Sequence, residues 1–324
     1  MAKKQRKFVD DGWAIWTDGD DICTVYLHDW LNPKGKSYID IAIHVHNVKA
    51  SSRMRVYIPF KISREEIDDV SLLFNDTKIL QATFGSACII DYKKNEFCSE
   101  IAYLGRTVDV VHISTLDYQI EPLSNGALLD IDIDKIQPSI DNNEAYFIWR
   151  MPHKSLDKLF KSRVGAGSKM SRFRDLITSP MLSEKHGYSV RINEPRLLPE
   201  EITRVGSFYR QKMKKAAISI SMDDSYDIND EGCYRIRRLE EELYTNYLPA
   251  SYKQDDIISY QWQQSVDDDK MQGHFNFYYN ITKDSVNGAS MTIYMILLMV
   301  LAVMGEMLAD LVRALIDWWA AGGI

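Results

Sequence analysis

The segment that most constrains this chain lies at its C-terminus, where residues 295–304 are all apolar. Residues 291–305 carry no charge and would cover about 22 Å as a helix. A hydrocarbon core is roughly 30 Å thick, so a span has to continue past Glu306. Apolar residues do continue as far as Trp319, which gives a helix of about 43 Å. We therefore predict a membrane helix over residues 291–320.

Four ionisable residues interrupt the second half of this segment at spacings of 4, 3 and 4 residues: Glu306, Asp310, Arg313 and Asp317. Side chains at these spacings share one face of a helix, and we name this face the polar stripe. A charge at the bilayer centre costs roughly 2.5–3.5 kcal/mol even on insertion scales, so lipid is a poor neighbour for it. We expect the polar stripe to lie against water, another protein or copies of itself.

Three arrangements of the segment satisfy this condition. In the first, several copies span the bilayer as a bundle, with the polar stripe facing a shared interior or pore. Alternatively, residues 291–305 dip into the bilayer and the remainder lies at the interface as an amphipathic helix, with Trp318 and Trp319 at headgroup level. In the third arrangement the helix is buried in a soluble oligomer. The uniformly apolar surface of residues 295–304 favours contact with lipid.

The flanking charges predict an orientation. Lys270 and Lys283 precede the segment, whereas no basic residue follows Arg313. By the positive-inside rule the large N-terminal region is cytoplasmic, and the protein is a single-pass, tail-anchored membrane protein. The basic N-terminus is followed by no apolar stretch, so we predict no secretory signal.

The remaining sequence is typical of a globular protein, with 45% apolar and 26% charged residues overall. Residues 38–46 and 129–134 alternate between apolar and polar side chains, which predicts half-buried strands. We predict an α+β, β-rich fold with a mostly antiparallel cytosolic domain, followed by the C-terminal transmembrane or amphipathic helix. Residues 1–150 form a β-rich domain, 151–283 an α+β portion with basic stretches, and 284–290 a polar linker.

Three local predictions can be compared directly with a structure. Residues 13–16 and 23–27 flank a Thr-Asp-Gly-Asp-Asp run, which indicates a hairpin. Residues 79–84 resemble a strand. A helix is expected from Pro199 to about residue 213, with proline at its first position.

Two basic stretches stand out because the whole chain has a net charge of −7. If they converge, they form an anion site for nucleic-acid phosphate, a nucleotide messenger or lipid headgroups; otherwise they are a solvated basic surface. The candidate ligand-binding residues are Lys158, Lys161, Arg163, Lys169, Arg172, Arg174, Arg210 and Lys214.

The sequence offers no catalytic signature that we would assign. The four cysteines are far apart, and His44 and His46 share the polar face of a strand without an evident third ligand. Asp76, Asp91 and Lys93 loosely match a PD-(D/E)xK nuclease, but the proline is missing and a hairpin with surface charges explains them equally well. We expect no enzymatic activity, no cofactor and no metal.

In overall layout the chain resembles the membrane effectors of bacterial anti-phage (abortive infection) systems. The resemblance is architectural and covers mainly residues 284–324. It implies a sensor or docking domain, triggered by a partner subunit, a nucleotide or a nucleic acid, that controls a homo-oligomer permeabilising the inner membrane. Clustered helices would align their polar stripes around a common interior. The alternatives are a soluble interaction subunit whose C-terminal helix docks on a partner or oligomer, and a membrane-tethered, metal-dependent nuclease.

Overall fold

The described part of the chain, in this computed structural model, is mostly β-strand. It comprises residues 7–32, 35–84, 88–89, 97–103, 106–140, 143–161, 182–224, 226–228, 232–240, 244, 246–249, 252, 257–266, 273–285 and 288–322. The strands are β1 (Lys7–Thr17), β2 (Ile22–Trp30), β3 (Tyr38–Val45), β4 (Arg53–Ile58), β5 (Cys88–Ile89), β6 (Cys98–Tyr103), β7 (Arg106–Val111), β8 (Tyr118–Leu123), β9 (Gly126–Asp132), β10 (Ala145–Pro152), β11 (Leu182–Ile192), β12 (Lys212–Asp223), β13 (Tyr226–Ile228), β14 (Arg235–Arg238), β15 (Ile257–Ser265) and β16 (Phe275–Ser285).

Within the described residues, the helices are short apart from the last one. The α-helices are α1 (Thr77–Phe84), α2 (Lys154–Lys161), α3 (Glu200–Val205) and α4 (Gly288–Ala320). Short 3-10 helices occur at Val48–Ala50, Arg64–Glu66, Ser71–Asn75, Ile113–Thr115, Asp134–Ser139, Pro195–Leu197 and Ser207–Arg210.

Two mixed sheets are formed by the described strands. The seven-stranded sheet has the order β13-β16-β11-β1-β4-β9-β8, and the nine-stranded sheet has the order β14-β15-β12-β2-β3-β10-β7-β6-β5. Most pairs are antiparallel, whereas β1 with β11, β2 with β12, and β7 with β10 are parallel. The predicted β-rich α+β class, mostly antiparallel and followed by an apolar helix, is confirmed.

The main hydrophobic core lies between the two sheets. One buried cluster combines Trp13 and Ile15 from β1 with Val25 from β2 and Trp149 from β10, so apolar faces of both sheets meet there. The alternation predicted for β3 explains which of its side chains are buried here: Ile39, Ile41 and Ile43 all lie in this core. Burying each such side chain stabilises the fold by about 1.5–3 kcal/mol relative to leaving it exposed.

The outer faces of both sheets are also covered. On the nine-stranded sheet, Ala42 and Ile148 pack with Leu80 of α1 and with Phe74 and Tyr247. On the seven-stranded sheet, β1 and β4 pack against α3 and the residues that follow it. Neither sheet therefore shows the simple pattern of one wet face along its whole length.

The predicted hairpin across residues 17–21 is wrong, because β1 and β2 belong to different sheets. The connecting turn is instead fastened to the loop before β4. Asp21 Oδ2 accepts a hydrogen bond from Ser51 Oγ at 2.6 Å, and Asp18 Oδ1 accepts one from the backbone N–H of Ser52 at 2.8 Å. These hydrogen bonds fix the position of the turn, which connects β1 in one sheet to β2 in the other.

The strand predicted for residues 79–84 is also wrong, because the segment forms α1. Asp76 Oδ1 accepts the backbone N–H of Lys78 at 2.9 Å, which satisfies a free donor of the first turn. Ile79 and Leu80 are buried against the nine-stranded sheet. A short apolar run is compatible with either element, and here the acidic cap and the packing favour the helix.

The helix expected over residues 199–213 is shorter than predicted. It forms α3 and ends at Gly206, whose φ of +67° is left-handed. A 3-10 turn follows, and β12 begins at Lys212. Glycine at this position is a common helix stop because it lacks the Cβ that disfavours the left-handed conformation.

The described contacts divide the chain into two compact units, residues 1–163 with 185–281 and residues 164–184 with 282–324. This differs from the predicted boundary at residues 150–151, which falls inside β10. The reason is long-range pairing: β1 and β2, from the first half, are bonded to β11 and β12, from the second. The predicted linker at 284–290 is occupied largely by the end of β16 and the start of α4.

Candidate functional site

The C-terminal helix α4 is both strongly apolar and exposed. Its apolar part, Tyr294–Ala320, has 27 residues, and an 18-residue window within it has a mean hydropathy of 2.2 and no buried residue. At 1.5 Å per residue it is about 40 Å long, which exceeds the roughly 30 Å of a hydrocarbon core. Among the described residues, α4 is the helix long and apolar enough to cross a membrane.

The polar stripe lies within this helix, as its spacing predicts. Glu306, Asp310, Arg313 and Asp317 are all exposed. Arg313 Nη1 and Asp310 Oδ1 are 3.9 Å apart, one helical turn from each other. Two opposite charges at this spacing reduce the cost of placing either in an apolar environment.

A cavity of about 320 Å³ opens on the outer face of the nine-stranded sheet. This volume lies in the range that holds small ligands. Its wall is built by β2, β3, β10, β12, β14 and β15, with Thr83 contributed by α1. We name it the cationic cavity, after its lining cations Lys215, Arg235 and Arg237, which stand beside the aromatic residues Tyr26, Tyr146, Tyr234, Tyr244 and Tyr247.

Two of these cations lie over aromatic rings. Lys215 Nζ is 5.3 Å from the ring centroid of Tyr26, and burial lowers the pKa of Lys215. Arg237 donates to the Tyr244 hydroxyl, and its Cζ is 5.5 Å from the centre of that ring. Burial raises the pKa of Tyr244, so its hydroxyl stays neutral at physiological pH. Cations beside aromatic faces suit a ligand that is both flat and anionic.

A buried ion pair supports the floor of the cavity. Arg150 donates to both carboxylate oxygens of Asp40, at 2.5 Å from Nε and 2.8 Å from Nη2. Trp30 Nε1 donates to the same carboxylate at 2.8 Å. The guanidinium holds the pKa of Asp40 below its ordinary value, although burial opposes this. The negative charge of Asp40 is balanced by Arg150. It therefore does not cancel the positive charge of Lys215, Arg235 and Arg237 in the cavity.

His28 adds a polar but uncharged group to the same wall. Its Nε2 is 2.7 Å from Ser221 Oγ. Burial lowers the pKa of His28 to about 4, despite the opposing effect of Asp40. The imidazole is therefore neutral at physiological pH.

Three of the predicted basic residues with described side chains, Lys158, Arg210 and Lys214, are not part of the lining of this cavity. Lys158 lies exposed on α2, Arg210 ends the 3-10 helix at Ser207–Arg210, and Lys214 is exposed on β12. Lys161 is the last residue of α2, while Arg163, Lys169, Arg172 and Arg174 lie outside the described residues. The neighbouring Lys215 does line the cavity, since adjacent strand residues point to opposite faces.

No family model matches the chain, and no curated protein matches it in sequence. Among solved structures, similarity is found to the Fcho1 Mu homology domain of Danio rerio with a bound Eps15 peptide. The identity is 7%, the matched region covers 87% of this chain and 82% of that one, and the TM-score is 0.10. A score this low does not establish a shared fold.

A hydrogen-bonded network of polar side chains is enclosed inside the protein. Tyr188 Oη donates to Asp11 Oδ2 at 2.6 Å and lies 3.0 Å from His153 Nε2. Tyr279 Oη donates to Asp29 Oδ2 at 3.1 Å. Burial raises the pKa of Asp11 to about 6 and lowers that of His153 to about 3. All five side chains are buried, so this network has no access for a substrate and connects the sheets internally.

The fold also brings a carboxylate to the histidine pair that the sequence left without a third ligand. Glu144, directly before β10, lies beside His44 and His46 at the end of β3. The nuclease-like residues cannot be compared in the same way, because Asp91 and Lys93 lie outside the described residues. Asp76, the remaining member of that set, caps α1.

Proposed function

We propose that this protein is a membrane-anchored effector. In this proposal α4 spans the bilayer, the β-rich unit receives a signal on the cytoplasmic side, and self-association of α4 makes the membrane permeable. The observation that carries the proposal is the polar stripe on an otherwise apolar and exposed helix. A lone copy of such a helix would expose charges to lipid, whereas a bundle shields them.

The signal is proposed to bind in the cationic cavity. Its lysine and two arginines, placed beside tyrosine rings, suit a nucleotide or a short nucleic-acid segment better than an apolar molecule. A phosphate would pair with the guanidinium groups and a base would lie against a ring. This role agrees with the resemblance to anti-phage membrane effectors, which are triggered by such signals or by a partner protein.

Fractionation tests the membrane anchor. Full-length protein and a variant lacking residues 288–320 are expressed in bacteria, and the membranes are washed with high salt and with alkaline carbonate. We expect full-length protein to leave the membrane only in detergent, because the mostly apolar 27-residue segment Tyr294–Ala320 holds it there. The shortened variant should be soluble. Release of the full-length protein by salt would instead support a soluble subunit whose helix docks on a partner.

Liposome leakage tests the effector role separately. The double variant Glu306→Leu, Asp310→Leu should remain in the membrane fraction and lose most dye release, because its helix no longer presents a polar surface to a shared interior. The control Glu121→Leu alters an exposed residue of β8 and should release dye as the unchanged protein does. Equal leakage from the helix variant and the control would refute the permeabilisation mechanism while leaving the anchor intact.

A further inference from the structure

The end of β3 carries two imidazoles that point at one carboxylate. His44 Nε2 is 3.0 Å from Glu144 Oε2, and His46 Nδ1 is 3.9 Å from the same oxygen. The two imidazole rings are 4.2 Å apart between centroids, and all three ligand atoms lie within 4.8 Å of one another. Atoms bound to a tetrahedral zinc ion are roughly 3.3 Å apart, since zinc bonds to nitrogen and oxygen are about 2.0–2.2 Å. The observed distances are close to that requirement.

The backbone holds these residues in place without any ligand. His44 is paired with Thr24 of β2 on one side and with Tyr146 of β10 on the other. The N–H of His46 donates to the carbonyl of Ile22 at 2.9 Å. The carbonyl of Glu144 accepts from the N–H of Asp109 at 3.2 Å. A metal would therefore meet ligands already close to their bound positions, which lowers the entropy lost on binding.

A neighbouring hydroxyl is compatible with the form of His46 that binds a metal through Nδ1. Thr24 Oγ1 lies 3.0 Å from His46 Nε2. When Nε2 donates its proton to this hydroxyl, Nδ1 is left with a free electron pair, and Nδ1 is the nitrogen nearer to Glu144. Metal-binding histidines commonly use their second nitrogen in this way, which fixes both the tautomer and the ring orientation.

A bound cation would stabilise the carboxylate of Glu144, one oxygen of which is buried. Glu144 Oε2 is shielded from solvent and, within the part of the chain that the structure describes, accepts no hydrogen bond. A protonated histidine would neutralise it, but one imidazolium suffices for that purpose and a second, 4.2 Å away, would repel the first. A divalent metal uses both neutral imidazoles and the carboxylate together.

We propose that His44 Nε2, His46 Nδ1 and Glu144 Oε2 bind a divalent transition metal of the zinc type. Two imidazoles and one carboxylate are ligands that Zn²⁺ accepts, whereas Mg²⁺ and Ca²⁺ prefer oxygen ligands throughout. The side chains of His44, His46 and Glu144 are 17%, 22% and 25% exposed, so the site is partly open. Three protein ligands leave a fourth position for water or a ligand atom. Tyr146, whose ring centroid is 6.2 Å from that of His44, also lines the cationic cavity, so the site adjoins that wall.

The test measures metal binding directly and does not depend on the proposed effector role. Full-length protein in detergent is stripped with a chelator and titrated with Zn²⁺ by calorimetry, and with Mg²⁺ for comparison. We expect one Zn²⁺ per chain and no comparable binding of Mg²⁺. Absence of Zn²⁺ binding by the unchanged protein would overturn the proposal and leave a histidine–glutamate ion pair as the description of this cluster.

Variants then assign the ligands. His46→Ala and Glu144→Gln should each weaken Zn²⁺ binding more than 100-fold, since loss of an outer partner alone costs about 10–100-fold. Thr24→Val, which removes the hydroxyl beside His46, should weaken it about 10-fold. The matched controls His274→Ala and Glu121→Gln change exposed residues of the same types and should bind as the unchanged protein does. Circular dichroism checks that each variant is folded, and undiminished binding by folded Glu144→Gln would contradict the assignment.

Discussion

Single residues decide how charge is accommodated inside this protein. Asp40 and Arg150 are 2% and 7% exposed in their side chains, and they face each other across the β3–β10 pair. Arg150 Nη1 also donates to the carbonyl of Tyr247 at 2.8 Å. Their geometry satisfies both partners, and it explains why a carboxylate and a guanidinium persist on the floor of the cationic cavity. Removing one partner would leave the other charge buried and without compensation.

A substitution measures this contribution. Arg150→Ala should lower the free energy of unfolding by about 3–5 kcal/mol, the usual cost of breaking a buried pair from one side. The control Arg204→Ala removes an exposed pair with Glu200, whose side chains are 75% and 74% exposed, and should cost less than about 0.5 kcal/mol. Urea unfolding of the full-length protein in detergent, followed by circular dichroism, provides both values. Similar losses in the two variants would show that the Asp40–Arg150 pair is not a structural requirement.

At the scale of elements, the ends of helices and strands depend on conformations that only particular residues adopt. α3 stops at Gly206, and the left-handed φ of that residue redirects the chain towards β12. A Cβ built at Gly206 would meet no other atom within 4 Å. Substitution there is consequently opposed by backbone conformation alone.

This separation of effects gives a clean prediction. Gly206→Ala should destabilise the protein by about 1–2 kcal/mol, which is the cost of a left-handed conformation for an ordinary residue. Gly206→Asn should cost less, because asparagine tolerates this region better. Thermal unfolding of both variants beside the unchanged protein checks the order. Equal stability of the alanine variant and the unchanged protein would contradict a left-handed conformation at residue 206.

At the scale of the whole molecule, the described residues combine a β-rich unit with one long apolar helix. The unit is held together by strands distant in sequence, since β1 pairs with β11 and β2 with β12. Its outer face bears the cationic cavity and, beside Tyr146, the proposed metal site. The helix needs an apolar solvent or a partner for its exposed residues, and a membrane provides the first.

Local patterns in the sequence were sufficient for some of these features. The alternation of residues 38–46 places Ile39, Ile41 and Ile43 in the core, as the structure confirms. The length and composition of the C-terminal segment predict α4, and its spacing predicts the polar stripe. These features depend only on neighbours within a few turns or strand residues, so their physics can be derived from the sequence itself.

Other features required the tertiary structure. The turn at residues 17–21 resembles a hairpin, but Asp21 and Asp18 bind a loop that lies 30 and 34 residues further along the chain. Local sequence patterns did not single out the three cations that line the cavity, Lys215, Arg235 and Arg237. The Tyr-Arg-Ile-Arg run at residues 234–237 was the available signal, and it does not tell which face of the strand is enclosed.

The sequence by itself thus determined the β-rich class, the apolar helix and its charged face, because the period of a helix or strand fixes which side chains share a side. The tertiary structure alone decided the cavity and the meeting of His44 and His46 with Glu144, about 100 residues further along the chain. Strand order and register bring these groups together. Both result from the burial of many side chains at once, a cooperative outcome that no single segment encodes.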